Sequence, residues 1–109
     1  MAEIDRHSGF GFLTNEAARF YLPAFIIADL RGADLNSDPA SYLCVFDPST
    51  TTDEVIAWQL ALLRERWDAL DPGQARAVCR YLEWCIAARA KGNEREVSFS
   101  LSAYWYQRT

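Results

Sequence analysis

The stretch LDPGQARAVCRYLEW, Leu70 to Trp84, has the grammar of a helix start and of nothing else. Asp71 can accept a hydrogen bond from a free amide of a first helical turn. Pro72 follows where a missing N–H is harmless, and Gln74 can bond back to the Asp71 amide. Beyond it Val78, Leu82, Cys85 and Ile86 recur at helical spacing, as do Ala77, Tyr81, Trp84 and Ala88. Only Arg76, Arg80 and Glu83 remain as a narrow wet edge, so this helix is expected at the centre of the fold. The same opening occurs twice more. Thr14 stands before Asn15-Glu16-Ala17-Ala18, a hydroxyl followed by an acid where the helix dipole is positive. Thr51 has Glu54 three positions later, a capping box ahead of the stripe Ile56, Leu60, Leu63, Trp67 and Leu70, with Arg64, Glu65 and Asp68 facing water. Three such starts in 109 residues predict a mainly α chain: a single α-helical domain over residues 1–109, folded as a compact bundle of three to four helices.

The segment RFYLPAFIIADL, Arg19 to Leu30, carries a proline inside a helical pattern. Ala17, Phe20, Tyr21, Ala24, Ile27 and Ala28 share one face, and Ala18, Leu22 and Phe25 form a second beside it, so this helix is expected to be buried nearly all round. Pro23 lacks an N–H and crowds the carbonyl of Arg19. Either two short helices meet at residues 21–23 or one proline-kinked helix continues, and the unbroken apolar period favours the kink. The remaining stripe of Glu16, Arg19, Pro23, Ile26 and Leu30 needs a cover, for which Tyr42 to Phe46 or a partner is available. Gly32 can end the helix in a left-handed conformation, and ADLNSDPAS reads as a loop. YLCVF, Tyr42 to Phe46, reads as a short extended segment or small strand. Met1 to Gly11 has no period and reads as an extended arm whose Phe10, with Phe12 just beyond, docks on the body. The tail REVSFSLSAYWYQRT fits strand alternation at Val97, Phe99, Leu101, Ala103 and Trp105, and helical spacing at Val97, Leu101, Tyr104 and Trp105. Its alternate serines weigh against the helix.

Half of the residues are apolar, enough to offset the entropy of folding at this length. The net charge of −4 is uneven: residues 1–73 carry 5 basic against 12 acidic side chains, residues 74–109 carry 6 against 3. Scattered cations give no footprint for phosphate, so nucleic acid is not an expected partner. Between Asp29 and Glu54 the acids Asp34, Asp38, Asp47 and Asp53 add to a stretch whose one cation is Arg31. No apolar run reaches the length of a bilayer span, which argues against a membrane partner. Cys44, Cys79 and Cys85 are odd in number, and the last two stand about 600° apart on a helix. Reduced thiols and a cytoplasmic setting follow as the expectation.

Catalytic chemistry finds little material. The single histidine, His7, sits in the arm, and no phosphate loop, zinc helix motif or paired CxxC occurs. Asp34, Asn36 and Asp38 have the spacing that opens a calcium loop, but Pro39 and Val45 stand where a glycine and a bidentate glutamate are required. No cofactor or metal is therefore expected. The cysteines in an apolar helix behave as small hydrophobes, and Arg19 reads as a structural ion pair with Glu16 or an acid from another helix.

With FLTNEAARFYLPAFIIADL (Phe12 to Leu30), LDPGQARAVCRYLEW (Leu70 to Trp84) and AYW (Ala103 to Trp105), the chain resembles a family of small uncharacterised bacterial proteins, a domain of unknown function. Its members carry Phe-Leu-Thr-x-Glu-Ala-x-Arg-[Phe/Tyr]-Tyr-Leu-Pro-Ala, a Leu-x-x-x-Gln helix and a closing Tyr-Trp. They carry a further stretch before this motif where 11 residues stand here, so the copy reads as short or incomplete. The resemblance implies a compact α-helical domain, turns the tail towards helix, and brings no activity. The resulting expectation is a non-enzymatic protein-binding module, for example an immunity-type inhibitor of a basic partner. It would use Asp34, Asp38, Asp47 and Asp53 to steer that partner and Tyr104, Trp105 and Tyr106 to anchor it, since one helix or strand cannot bury all three rings. The alternative is a self-associating structural domain in which Ile26, Leu30 and the tail rings meet a second copy.

Overall fold

The computed structural model describes residues 14–32, 39–89 and 94–109. The arm with His7, Phe10 and Phe12, and the loop acids Asp34 and Asp38, lie outside the described residues. Among the described residues five helices follow in order: α1 (Asn15–Leu30), α2 (Pro39–Leu43), α3 (Asp53–Trp67), α4 (Pro72–Arg89) and α5 (Glu94–Ala103), closed by a 3-10 turn, Trp105–Arg108. No strand occurs among the described residues. α1 packs on α2 and α3, while α4 packs on α5 and the terminal turn.

The starts of α1 and α4 follow their local chemistry. Thr14 Oγ1 accepts from the Ala17 amide at 3.1 Å. At α4, Gln74 Oε1 accepts from the Asp71 amide and Asp71 Oδ1 from the Gln74 amide, both at 2.8 Å, a closed capping box. α3 differs by one residue: its cap is Thr52, whose Oγ1 accepts from Val55 N at 3.3 Å, and not Thr51. This register places both Asp53 and Glu54 in the first turn, against the positive end of the helix. α1 runs through Pro23 as one helix rather than two. It ends as its sequence indicates, with Gly32 at φ 81°, a conformation that a Cβ would strain.

Of the two apolar faces expected to be buried on α1, only the second is. Ala18, Leu22, Phe25 and Asp29 turn inward, whereas Phe20 is 75% exposed and Ile27 49%. A helix apolar nearly all round gives its period no unique direction, so the neighbours decide. Ala18 is fully buried there, and Asp29 finds a buried donor. Arg19 likewise serves another group than the acids expected: its Nη1 donates to the Arg66 carbonyl at 2.7 Å. Elsewhere the stripes hold in part: Ile56, Leu63 and Trp67 are buried on α3 with Leu70 just beyond it, and Val78, Tyr81, Leu82 and Cys85 on α4, joined by Cys79, whereas Ala77 and Ala88 of the second α4 stripe are exposed. Burial, then the charge of Glu83, pushes the Cys79 thiol up, away from reactivity.

Tyr42 to Phe46 is not the extended segment its composition suggests: Tyr42 and Leu43 finish α2, and the chain is irregular from Cys44 onward. A strand needs a ladder partner, and here side chains take that role. Trp67 Nε1 donates to the Tyr42 carbonyl at 3.2 Å and Trp105 Nε1 to the Leu43 carbonyl at 2.7 Å. The Val45 amide donates to Ser100 Oγ at 2.9 Å, and the Phe46 amide to Gln59 Oε1 at 2.9 Å. Ser100 is fully buried on α5, so the serines that weigh against a helical tail include one the tail needs. Ser100→Ala should cost about 1–3 kcal/mol in urea denaturation by orphaning a buried amide. A loss below about 0.5 kcal/mol would show that the amide finds another acceptor.

Candidate functional site

The tail shows what the aromatic cluster does. Val97, Leu101 and Tyr104 face the core at helical spacing, and the turn after them swings Trp105 inside, fully buried. Tyr104 OH donates to Asp68 Oδ1 at 2.6 Å, and Arg108 Nη2 donates to the carbonyls of Asp68 and Leu70 at 2.6 and 2.8 Å. A cation thus sits on the C-terminal carbonyls of α3, where the dipole favours it. Tyr106 OH donates to Glu83 Oε2 at 2.6 Å, and that bond, with a little burial, pushes its phenol up to about 12. Tyr104 and Trp105 are therefore core residues and not partner anchors. The expectation that at least one ring stays outside is met by Tyr106 alone.

Of the four expected steering acids, two are described. Asp47 Oδ1 accepts from the amide and hydroxyl of Ser49, at 2.9 and 2.7 Å, and its Oδ2 lies 3.9 Å from Arg95 Nη1. Those bonds to Ser49, aided by Arg95, hold the Asp47 carboxyl below its usual range. It pins a turn to α5. Asp53 is exposed at the start of α3.

Sequence reasoning missed a buried polar pair. Asp29, on the inner face of α1, accepts from Tyr81 OH of α4 at 2.6 Å, both groups nearly sealed from water. Burial and this bond push the Tyr81 phenol far above its ordinary value. The signal was present as an acid within an apolar run, but its partner stands 52 residues away. No group of three potential metal ligands occurs among the described residues.

Two outward apolar faces remain. On α1, Glu16, Phe20, Pro23, Ala24, Ile27 and Arg31 form an exposed stripe opposite the buried one. Beside it lies a groove of about 220 Å³ walled by Pro23, Ile26 and Ile27 from α1 and by Leu70, Gln74 and Ala77 at the start of α4. Ile26 is half-buried beside this groove, while Pro23 and Leu30 of the stripe that sought a cover stay exposed. On α3 the outward stripe is Glu54, Trp58, Ala61, Leu62 and Glu65, with Trp58 61% exposed. A second groove, about 200 Å³, separates α3 from Tyr42–Phe46, with Phe46, Leu62, Glu65 and Arg66 on its walls. Large apolar side chains left outside in this way are what interaction surfaces are made of.

Fold and surface together define a small helical domain with outward apolar faces. The chain belongs to a family of unknown function, DUF6714, whose model matches residues 1–109. No curated protein and no solved structure matches it. No helix among the described residues is long and apolar enough to cross a membrane.

Proposed function

We propose that this protein is a non-enzymatic protein-binding module that takes a basic partner on the outward face of α3. The observation that carries this reading is Trp58, exposed on a helix with Leu62 one turn on and Glu54 and Glu65 at either end. An apolar centre with an acidic rim suits an amphipathic segment bearing lysine or arginine, the apolar part holding it and the charges steering it. Phe46, exposed across the second groove, widens the centre. The acids that matter are then Glu54 and Glu65, with Asp53 beside them, rather than Asp47. The reading favours binding over catalysis because the polar side chains facing one another in the structure, Asp29 with Tyr81, Asp68 with Tyr104 and Glu83 with Tyr106, already hold helices together. An immunity-type role, in which the partner loses its activity when bound, is the specific form proposed.

The test compares affinity capture by the wild type, Trp58→Ala and Glu54→Gln/Glu65→Gln. A basic protein bound in stoichiometric amount should lose at least tenfold in affinity to Trp58→Ala, an anchor-sized effect. It should lose several-fold to the double variant, with a flatter salt dependence. Trp58 is exposed, so its removal should leave the urea midpoint nearly unchanged. A partner that binds all three alike, or an acidic one, overturns the proposal.

A further inference from the structure

We infer that α1 is a contact face between two copies of this chain, crossing its counterpart antiparallel about a two-fold axis at Pro23 and Ala24. The order of the outward stripe carries the inference. Glu16 stands at one end and Arg31 at the other, Phe20 and Ile27 lie each four residues in, and Pro23 and Ala24 occupy the middle. Turned end to end, this pattern complements itself. Glu16 of one copy meets Arg31 of the second, Phe20 meets Ile27, and Pro23 meets Ala24, and the two-fold repeats every pair. A parallel pairing would set Glu16 against Glu16 and Arg31 against Arg31, so the charges select the antiparallel arrangement.

Size and shape agree with the charges. The two small central residues let the helix axes approach to the roughly 8–10 Å of packed helices. Phe20, 75% exposed, lands beside Ile27 and Pro23 of the other copy, which wall the first groove. Its about 220 Å³ exceeds the ~150 Å³ of a cavity that holds benzene, so a phenyl ring fits. α1, with 16 residues, presents a face about 24 Å long. Such a single helix pair is at the small end of specific interfaces, which makes a reversible dimer, on the order of micromolar, the expected product. Because every contact is used twice, the pair closes and adds no third copy. The inference uses α1 alone and stands apart from the surface on α3.

Sedimentation equilibrium at low salt tests it, with circular dichroism to show that each variant is folded. The wild type should pass from monomer to dimer over the micromolar range, and Phe20→Glu should raise the dissociation constant at least tenfold. Glu16→Arg and Arg31→Glu should each weaken self-association. A mixture of these two single variants should form a heterodimer about tenfold tighter than either homodimer, since both facing pairs then carry opposite charges. That gain cannot come from a variant with a weakened helix. A wild type that stays monomeric, a dimer indifferent to Phe20→Glu, or a mixture no tighter than its components would overturn the inference.

Discussion

Trp105→Ala should lower the stability of this domain by about 3–5 kcal/mol, a large share of the total for a chain of this size. The indole is fully buried, meets Tyr104 edge-on at 4.9 Å and Trp67 at 6.3 Å, and donates from Nε1 to the Leu43 carbonyl. Its removal opens a cavity where α3, α5 and the end of α2 meet and leaves a buried carbonyl without that donor. In thermal unfolding the loss should read as a fall in Tm on the order of 15 °C. Trp105→Phe keeps much of the ring and loses the donor, so it should fall between the wild type and Trp105→Ala. Tyr106→Ala, a few ångströms along the chain but on the surface, should move Tm far less. A loss below about 1 kcal/mol for Trp105→Ala would mean that the tail is not the keystone the packing makes it.

The second large effect is alkaline unfolding. Burial first, and the bonds to Asp29 and Asp68 second, raise the phenols of Tyr81 and Tyr104 above their ordinary value. A group with a raised folded-state pKa gives stability that is fully present below its unfolded pKa and is lost as pH climbs towards the folded one. From about pH 10 the unfolded chain therefore sheds protons that the folded chain keeps. Stability should fall by about 1.4 kcal/mol per pH unit for each tyrosine, or roughly twice that for the pair. Urea titrations on either side of pH 10 measure it, and tyrosinate absorbance should appear together with the loss of helix rather than before it. Tyr81→Phe should start lower at neutral pH by about 1–3 kcal/mol, because the buried Asp29 carboxyl loses the bond from this hydroxyl. Its alkaline slope should then be shallower than the wild type's by about 1.4 kcal/mol per pH unit. An unchanged slope would show that the Tyr81 hydroxyl reaches water in the folded state.

These two sites show where sequence reading stops. Capping boxes, periodic stripes and the glycine at the end of α1 are written in contiguous residues, so the mainly α class, the starts of α1 and α4 and the inner faces of α3 and α4 were legible. The Thr51 cap slipped by one residue because two adjacent threonines offer the same hydroxyl, and the winning register is the one that puts two acids in the first turn. The tail rings were legible as important but not as inward: Tyr104 and Trp105 look like anchors until Asp68 and Leu43 are seen to receive them. Of the acidic stretch, Asp47 closes a turn, since a carboxylate two residues before a serine bonds that residue first.

By itself, then, the sequence determined that this chain is mainly helical, roughly where α1, α3 and α4 begin though not α2 or α5, and that it carries more apolar surface than one helix face can hide. Only the tertiary structure decided which surface stays outside. In α1 the residues Phe20 and Ile27 are as apolar as Leu22 and Phe25, and no local rule separates them. What separates them is the side that carries Asp29, which accepts a hydrogen bond from Tyr81, 52 residues away. Burying a carboxyl demands a donor at that one place, and meeting the demand fixes the rotation of the helix. Helix formation is settled by neighbours within four residues, whereas the choice of face is settled by a buried polar group that must be satisfied across the fold.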